Sequence, residues 1–144
     1  MGFNVFVGKK LSETRQKAFK CALGSAQKTN QNLLIILPTI DNYKNIDNDI
    51  EDAITRKSLG LILKSTQPTK LGDIIAERTI IKTFEKNNSK YRNYVIFAIE
   101  PTINDWEVLR KLNQIVVATE WWSSTKSDKY NEIYKEINAN ITPT

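Results

Sequence analysis

The sequence predicts an α/β fold: a three-layer α/β/α sandwich on a doubly wound, five-stranded, mainly parallel sheet, Rossmann-like or P-loop-like. Three observations carry this expectation. The short apolar runs are continuous rather than alternating, as in parallel strands covered on both faces. The longer segments between them repeat apolar residues every three to four positions, as helices do. The two kinds alternate along 144 residues, the length of one domain, so the whole chain reads as a single α/β unit.

Each element has its own justification. Residues 3–7 (FNVFV), 33–37 (LLIIL), 59–63 (LGLIL), 94–99 (YVIFAI) and 114–118 (QIVVA) are the buried strands. Residues 12–28 gather Phe19, Ala22, Leu23 and Ala26 on one helical face, with Ser12 or Thr14 as N-cap. Residues 46–57 do the same with Ile46, Ile50, Ala53 and Ile54. Residues 71–86 read as a third helix through Leu71, Ile74, Ile75, Arg78, Ile81 and Phe84. Residues 104–112 form a fourth, capped by Asn104, and residues 127–138 a fifth, capped by Ser127, with Tyr130, Ile133, Tyr134 and Ile137 at helical spacing. Residues 87–92 read as a polar loop and 141–144 as a frayed tail.

Composition narrows the function. There are no histidines and one cysteine. Histidine-dependent triads, HExxH metal sites, CxxC redox pairs and zinc fingers are excluded. No metal and no cofactor is implied. Cys21, inside a helical pattern, reads as a small core residue. Apolar runs are too short to span a membrane and no signal peptide is visible, so the default expectation is a cytoplasmic protein without a membrane partner. The net charge is +5 with pI near 9.3. It is unevenly spread: residues 1–92 carry 16 basic and 9 acidic side chains, and residues 93–144 carry 5 basic and 7 acidic. A basic first part suits a polyanion such as DNA or RNA.

Ligands of open α/β sheets sit beyond the carboxyl ends of the strands. The segment after the first strand, VGKKLSET, places Gly8, Lys9, Lys10 and Ser12 where free N–H groups and a helix dipole favour an anion. The other strand ends contribute Thr39 and Asp41, then Lys64 and Ser65, then Glu100, then Thr119, Glu120 and Trp121. These form the expected strand-edge pocket. Asp41, Glu100 and Glu120 are a candidate carboxylate group for acid–base work. Trp121 and Trp122 suggest one ring packed near Tyr130 or Tyr134 and one exposed for stacking. Asp47, Asp49, Glu51 and Asp52 read as carboxylates at a helix start. Arg15, Lys17, Lys20 and Lys28 make an incomplete basic stripe on the first helix.

The strand series resembles the first RecA-like domain of helicase-type P-loop proteins. VGKKLS stands where the phosphate loop would be. LLIILPT is similar to the strand ending in Pro-Thr that touches nucleic acid in that family. LGLILKST, 59–66, matches the third strand, YVIFAIEPT the strand of the acidic pair, and QIVVATE the strand ending in Ser-Ala-Thr. The catalytic motifs are missing. There is no complete GxxxxGK[ST] loop, and of the acidic pair only Glu100 is present, preceded by Ala98 and Ile99. The resemblance therefore implies a relative or accessory protein that does not hydrolyse nucleotide. Three functions follow as expectations: a non-catalytic nucleic-acid-binding or accessory module; a protein-interaction or assembly subunit, including a homo-oligomer; and a small enzyme acting on a nucleotide or phosphorylated ligand.

Overall fold

The computed structural model describes residues 2–38 and 46–144. Thr39 and Asp41, two of the expected site residues, lie outside the described residues. Among the described residues the order is β1 (Gly2–Gly8), α1 (Leu11–Thr29), β2 (Leu33–Leu37), α2 (Ala53–Lys64), β3 (Thr69–Leu71), β4 (Ile74–Ile80), α3 (Ile81–Lys86), β5 (Val95–Ile99), α4 (Ile103–Leu109), β6 (Ile115–Trp121), α5 (Asp128–Glu136) and β7 (Asn140–Pro143). Seven strands, not five, form one mixed sheet in the order β3-β4-β2-β5-β6-β1-β7. Every neighbouring pair is parallel except β3 with β4. The first strand lies between β6 and β7 rather than beside β2. This differs from the dinucleotide-binding order, in which the first two strands are neighbours.

Helices cover both faces. On one, Ala18, Phe19, Ala22 and Ala26 of α1 and Leu59, Ile62 and Leu63 of α2 meet Leu33, Ile35, Val95, Phe97 and Val117. On the other, Phe84 of α3, Trp106 and Leu109 of α4, and Ile133 and Tyr134 of α5 meet Val5, Leu34, Ile96, Val116 and Ala118. Neighbouring strand residues therefore point to opposite cores, which is why β2 and β5 read as unbroken apolar runs.

Several expected elements change. The run 59–63 is helix, not strand. Leu59, Ile62 and Leu63 are buried while Leu61 is exposed, a helical rather than a continuous pattern. The Asp52 side chain accepts from Thr55 N at 2.9 Å and starts this helix at Ala53, later than expected. Asp47 and Asp49 thus precede the helix in a turn, and Asp47 is buried there. The expected helix over 71–86 is instead the end of β3, a tight turn, β4 and the short α3, with β3 and β4 forming a hairpin. Gly72, at φ 64°, sits in the two-residue turn between Leu71 and Ile74, which are register partners. Alternating burial from Ile74 then has the strand period.

The polar loop 87–92 contains a short 3-10 turn, Asn88–Tyr91. The expected tail is largely β7, whose Val5–Ile141 register places it alongside β1. Two expected caps also move. Lys10, which makes no side-chain cap bond, precedes α1. Thr102 rather than Asn104 caps α4, in a reciprocal box with Asp105. Ser127 stands at the N-cap of α5 but makes no side-chain bond there.

Candidate functional site

Parallel pairing brings the carboxyl ends of β2, β5, β6 and β1 to one edge of the sheet. Across that edge the loops diverge. The chain leaving β1 enters α1 on one face, and the chain leaving β6 leads to α5 on the other. Divergence of this kind marks the usual ligand position in such folds. Gly8 and Trp121, register partners, flank the mouth between β1 and β6.

The cations and indoles of this mouth form a cluster. Lys9 Nζ lies 4.4 Å from the centre of the Trp122 ring and Lys126 Nζ 3.9 Å from it. Trp122 begins the 3-10 turn Trp122–Lys126, so three to four residues bring Lys126 back over its own ring. Trp121 is 51% exposed and Trp122 40%. Neither indole packs under α5 as expected; the indole in edge contact with Tyr134 is Trp106, at 5.7 Å between ring centres. Lys10 is held elsewhere, 3.5 Å from Glu13 and 3.7 Å from Glu51. Ser12 lies in the first turn of α1, near Glu13, Asp49 and Glu51 around a small cavity. Thr14, in the same turn, is buried; its hydroxyl meets that of Thr144 at 2.6 Å and donates to Lys10 O at 3.2 Å.

Further along this edge, Arg15 reaches from α1 to Glu100 just after β5. Its Nε donates to both carboxylate oxygens, at 3.1 and 3.2 Å, and its Nη2 also donates to Oε1. The Thr119 hydroxyl donates to Glu100 Oε2, while Glu100 N donates to Thr119 Oγ1 at 3.0 Å. Glu100 has φ 41°, the left-handed region that non-glycine residues seldom occupy. Side-chain exposure of Arg15 and Glu100 is 17% and 11%, so this bidentate pair closes the centre of the edge. Arg15 is thereby spent on Glu100 and adds nothing to a basic stripe. Lys20, a second stripe residue, lies 3.7 Å from Asp52.

Glu120 points to the other core. Its Oε2 accepts from Trp106 Nε1 at 3.0 Å and from the Tyr134 hydroxyl at 2.8 Å. Burial raises its pKa to about 8 against the pull of those two donors, with the charges of Glu100 and Asp105 pushing the same way as burial. The Tyr134 phenol is raised by burial and by the adjacent Glu120. At 2% exposure, Glu120 has no open path to a substrate. Glu100 and Glu120 are each enclosed by their own partners rather than facing one another across a free space. The carboxylate group expected for acid–base work is not assembled among the described residues, where no group of three or more metal-binding side chains occurs either.

Lys64 and Ser65 are not at this mouth. They end α2 beside β4, where Ser65 O accepts from Arg78 Nε at 3.0 Å, near the far edge of the sheet. A cavity of about 850 Å³ opens there, beside Arg56, Lys57 and Lys64. Another, of about 690 Å³, lies at the amino end of β6, bordered by Arg92, Lys111 and Gln114. Cys21 is half-buried, and burial pushes its thiol up rather than activating it.

Sequence reasoning missed Lys126, Trp106 and Tyr134, and it assigned Arg15 to a different role. Lys126 had a signal, its spacing of four from Trp122; the others meet their partners only through the fold. No helix among the described residues is long and apolar enough to cross a membrane. Compared with protein-family models, curated proteins and solved structures, the chain matches none.

Proposed function

We propose that the protein is a non-catalytic nucleic-acid-binding or accessory module whose contact surface is the mouth between β1 and β6. The observation that carries this reading is the cluster of Lys9, Lys126, Trp121 and Trp122. Two ammonium groups approach one ring beside a second exposed indole, and neither ammonium is paired with a carboxylate among the described residues. Cations placed close together favour a polyanion, and exposed indoles add stacking area. The excess of basic residues over 1–92 acts in the same direction at longer range.

The likeness to the first RecA-like domain of helicase-type proteins belongs to this proposal. Its support is that β1, β2, β5 and β6, which carry four of the five matched motifs, share one carboxyl edge. LGLILKST gives no support, since most of it is α2. A doubly wound, three-layer arrangement and a cytoplasmic location complete the reading.

Fluorescence anisotropy with labelled single- and double-stranded oligonucleotides at low salt tests it. The expected result is binding that weakens steeply as salt is added, each phosphate contact contributing about −0.7 to −0.9 to the log–log slope. Reversing Lys9 or Lys126 to Glu should weaken binding and flatten that slope. No retention of any oligonucleotide at low salt removes the proposal.

A second reading, an assembly subunit, is favoured by Ile54 and Leu61 on the outer side of α2, 79% and 52% exposed. A single monomeric mass by light scattering at high protein concentration counts against self-assembly.

A further inference from the structure

Resting on the reading above, we infer that the mouth between β1 and β6 takes single-stranded nucleic acid, with an unpaired base stacked on Trp121 and the adjoining phosphates held by Lys9 and Lys126. A duplex presents phosphates and groove edges, and its base faces are covered by neighbouring pairs. Only an unpaired or splayed base presents a flat π-face, and such faces stack on aromatic side chains whatever the base. Half of the Trp121 surface is open, and among the described residues no aromatic side chain engages its ring.

The charge is arranged to match. Lys9 and Lys126 come from different elements, the end of β1 and the turn after β6, yet converge on Trp122. Two like charges held near one ring, with no carboxylate paired to either among the described residues, repel each other. A phosphodiester drawn to the pair offsets that repulsion, and the attraction of the ring for each ammonium group keeps both near it. The alternation of phosphate and base along a single strand therefore meets an alternation of ammonium and indole.

The backbone that carries Trp121 is also anchored before any ligand arrives. Trp121 is the register partner of Gly8 at the end of the β1–β6 ladder. The two residues before it are anchored in opposite directions, Thr119 to Glu100 and Glu120 to Trp106 and Tyr134. A stacking surface fixed this way loses little conformational entropy on binding.

The test uses intrinsic tryptophan fluorescence of the full chain at low salt. Its probes are a short unlabelled oligothymidylate and a blunt duplex of two annealed strands of equal total phosphate count. The inference expects quenching by oligothymidylate, since Trp121 and Trp122 are open while Trp106 is buried, and tighter binding of it than of the duplex. Trp121→Ala should weaken oligothymidylate binding about tenfold or more, the effect of losing one stacked base. Trp121→Phe, which keeps a flat ring, should recover most of that loss, and circular dichroism of both variants should match the parent. Equal or tighter binding of the duplex, or no effect of Trp121→Ala, overturns the single-strand assignment while leaving nucleic-acid binding standing. Failure of both probes to bind overturns this inference and the proposed function together.

Discussion

Glu120 is a buried carboxyl that stays protonated well above the ordinary range because burial disfavours its charge, Trp106 and Tyr134 compensating only in part. An acid whose pKa is raised in the folded state stabilises most below its unfolded value and loses that contribution as pH climbs through the folded one. Stability should therefore fall between pH 4.5 and about 8. The full shift between those two values corresponds to about 5 kcal/mol. Glu120→Gln, uncharged at every pH, should flatten the slope and gain most at the alkaline end; urea midpoints across that range check it. Gly8 gives a second prediction. A β-carbon there would collide with the hydroxyls of Thr14 and Thr144, so Gly8→Ala should cost about 1–3 kcal/mol of stability, read as a lower urea midpoint. Individual site residues were partly legible. Gly8, Lys9, Glu100, Thr119 and Trp121 were expected at the carboxyl edge because they follow apolar runs, and the structure places them at that edge. The roles of Arg15 and Glu120 were hidden, because their partners lie 85 and 14 residues away and a charge in a sequence does not reveal its counterpart.

Elements were read well where one period dominates. The first helix emerges from Phe19, Ala22, Leu23 and Ala26, of which all but Leu23 are buried, and β2 and β5 from fully buried runs. The reading failed where periods compete. Ile74, Ile75 and Ile81 fit a helical face on paper, but Gly72 at φ 64° turns the chain and the following isoleucines extend as a strand. Leu59–Leu63 failed in the opposite sense, because the Asp52 cap starts a helix that carries straight through an apolar run. Caps can be tested directly. Thr102 accepts from Asp105 N at 3.1 Å, and the Asp105 carboxylate accepts from Thr102 N at 3.0 Å. Thr102→Ala should cost about 1 kcal/mol, read as a lower urea midpoint with the slope unchanged.

At the scale of the whole molecule, the sheet order matters more than the number of strands. Two additional elements, the β3–β4 hairpin and β7, widen the sheet at its edges, while the carboxyl ends of β5, β6 and β1 stay side by side. The proposed site draws on β1, β6 and the first turns after them, which the misread elements leave in place; Lys64 and Ser65 go to α2 with the misplaced strand, Lys10 and Glu120 turn to other partners, and Thr39 and Asp41 lie outside the described residues. The surface offers an alternative: Arg56, Lys57 and Lys64 surround a cavity beside α2 and would also attract phosphate. Photo-crosslinking an oligonucleotide to the protein, followed by mass spectrometry of the conjugated peptides, separates these two places. The account predicts adducts on the peptides carrying Lys9 and Trp121–Lys126. Adducts concentrated on 56–64, or at the amino ends of the strands around Arg92 and Lys111, would contradict it.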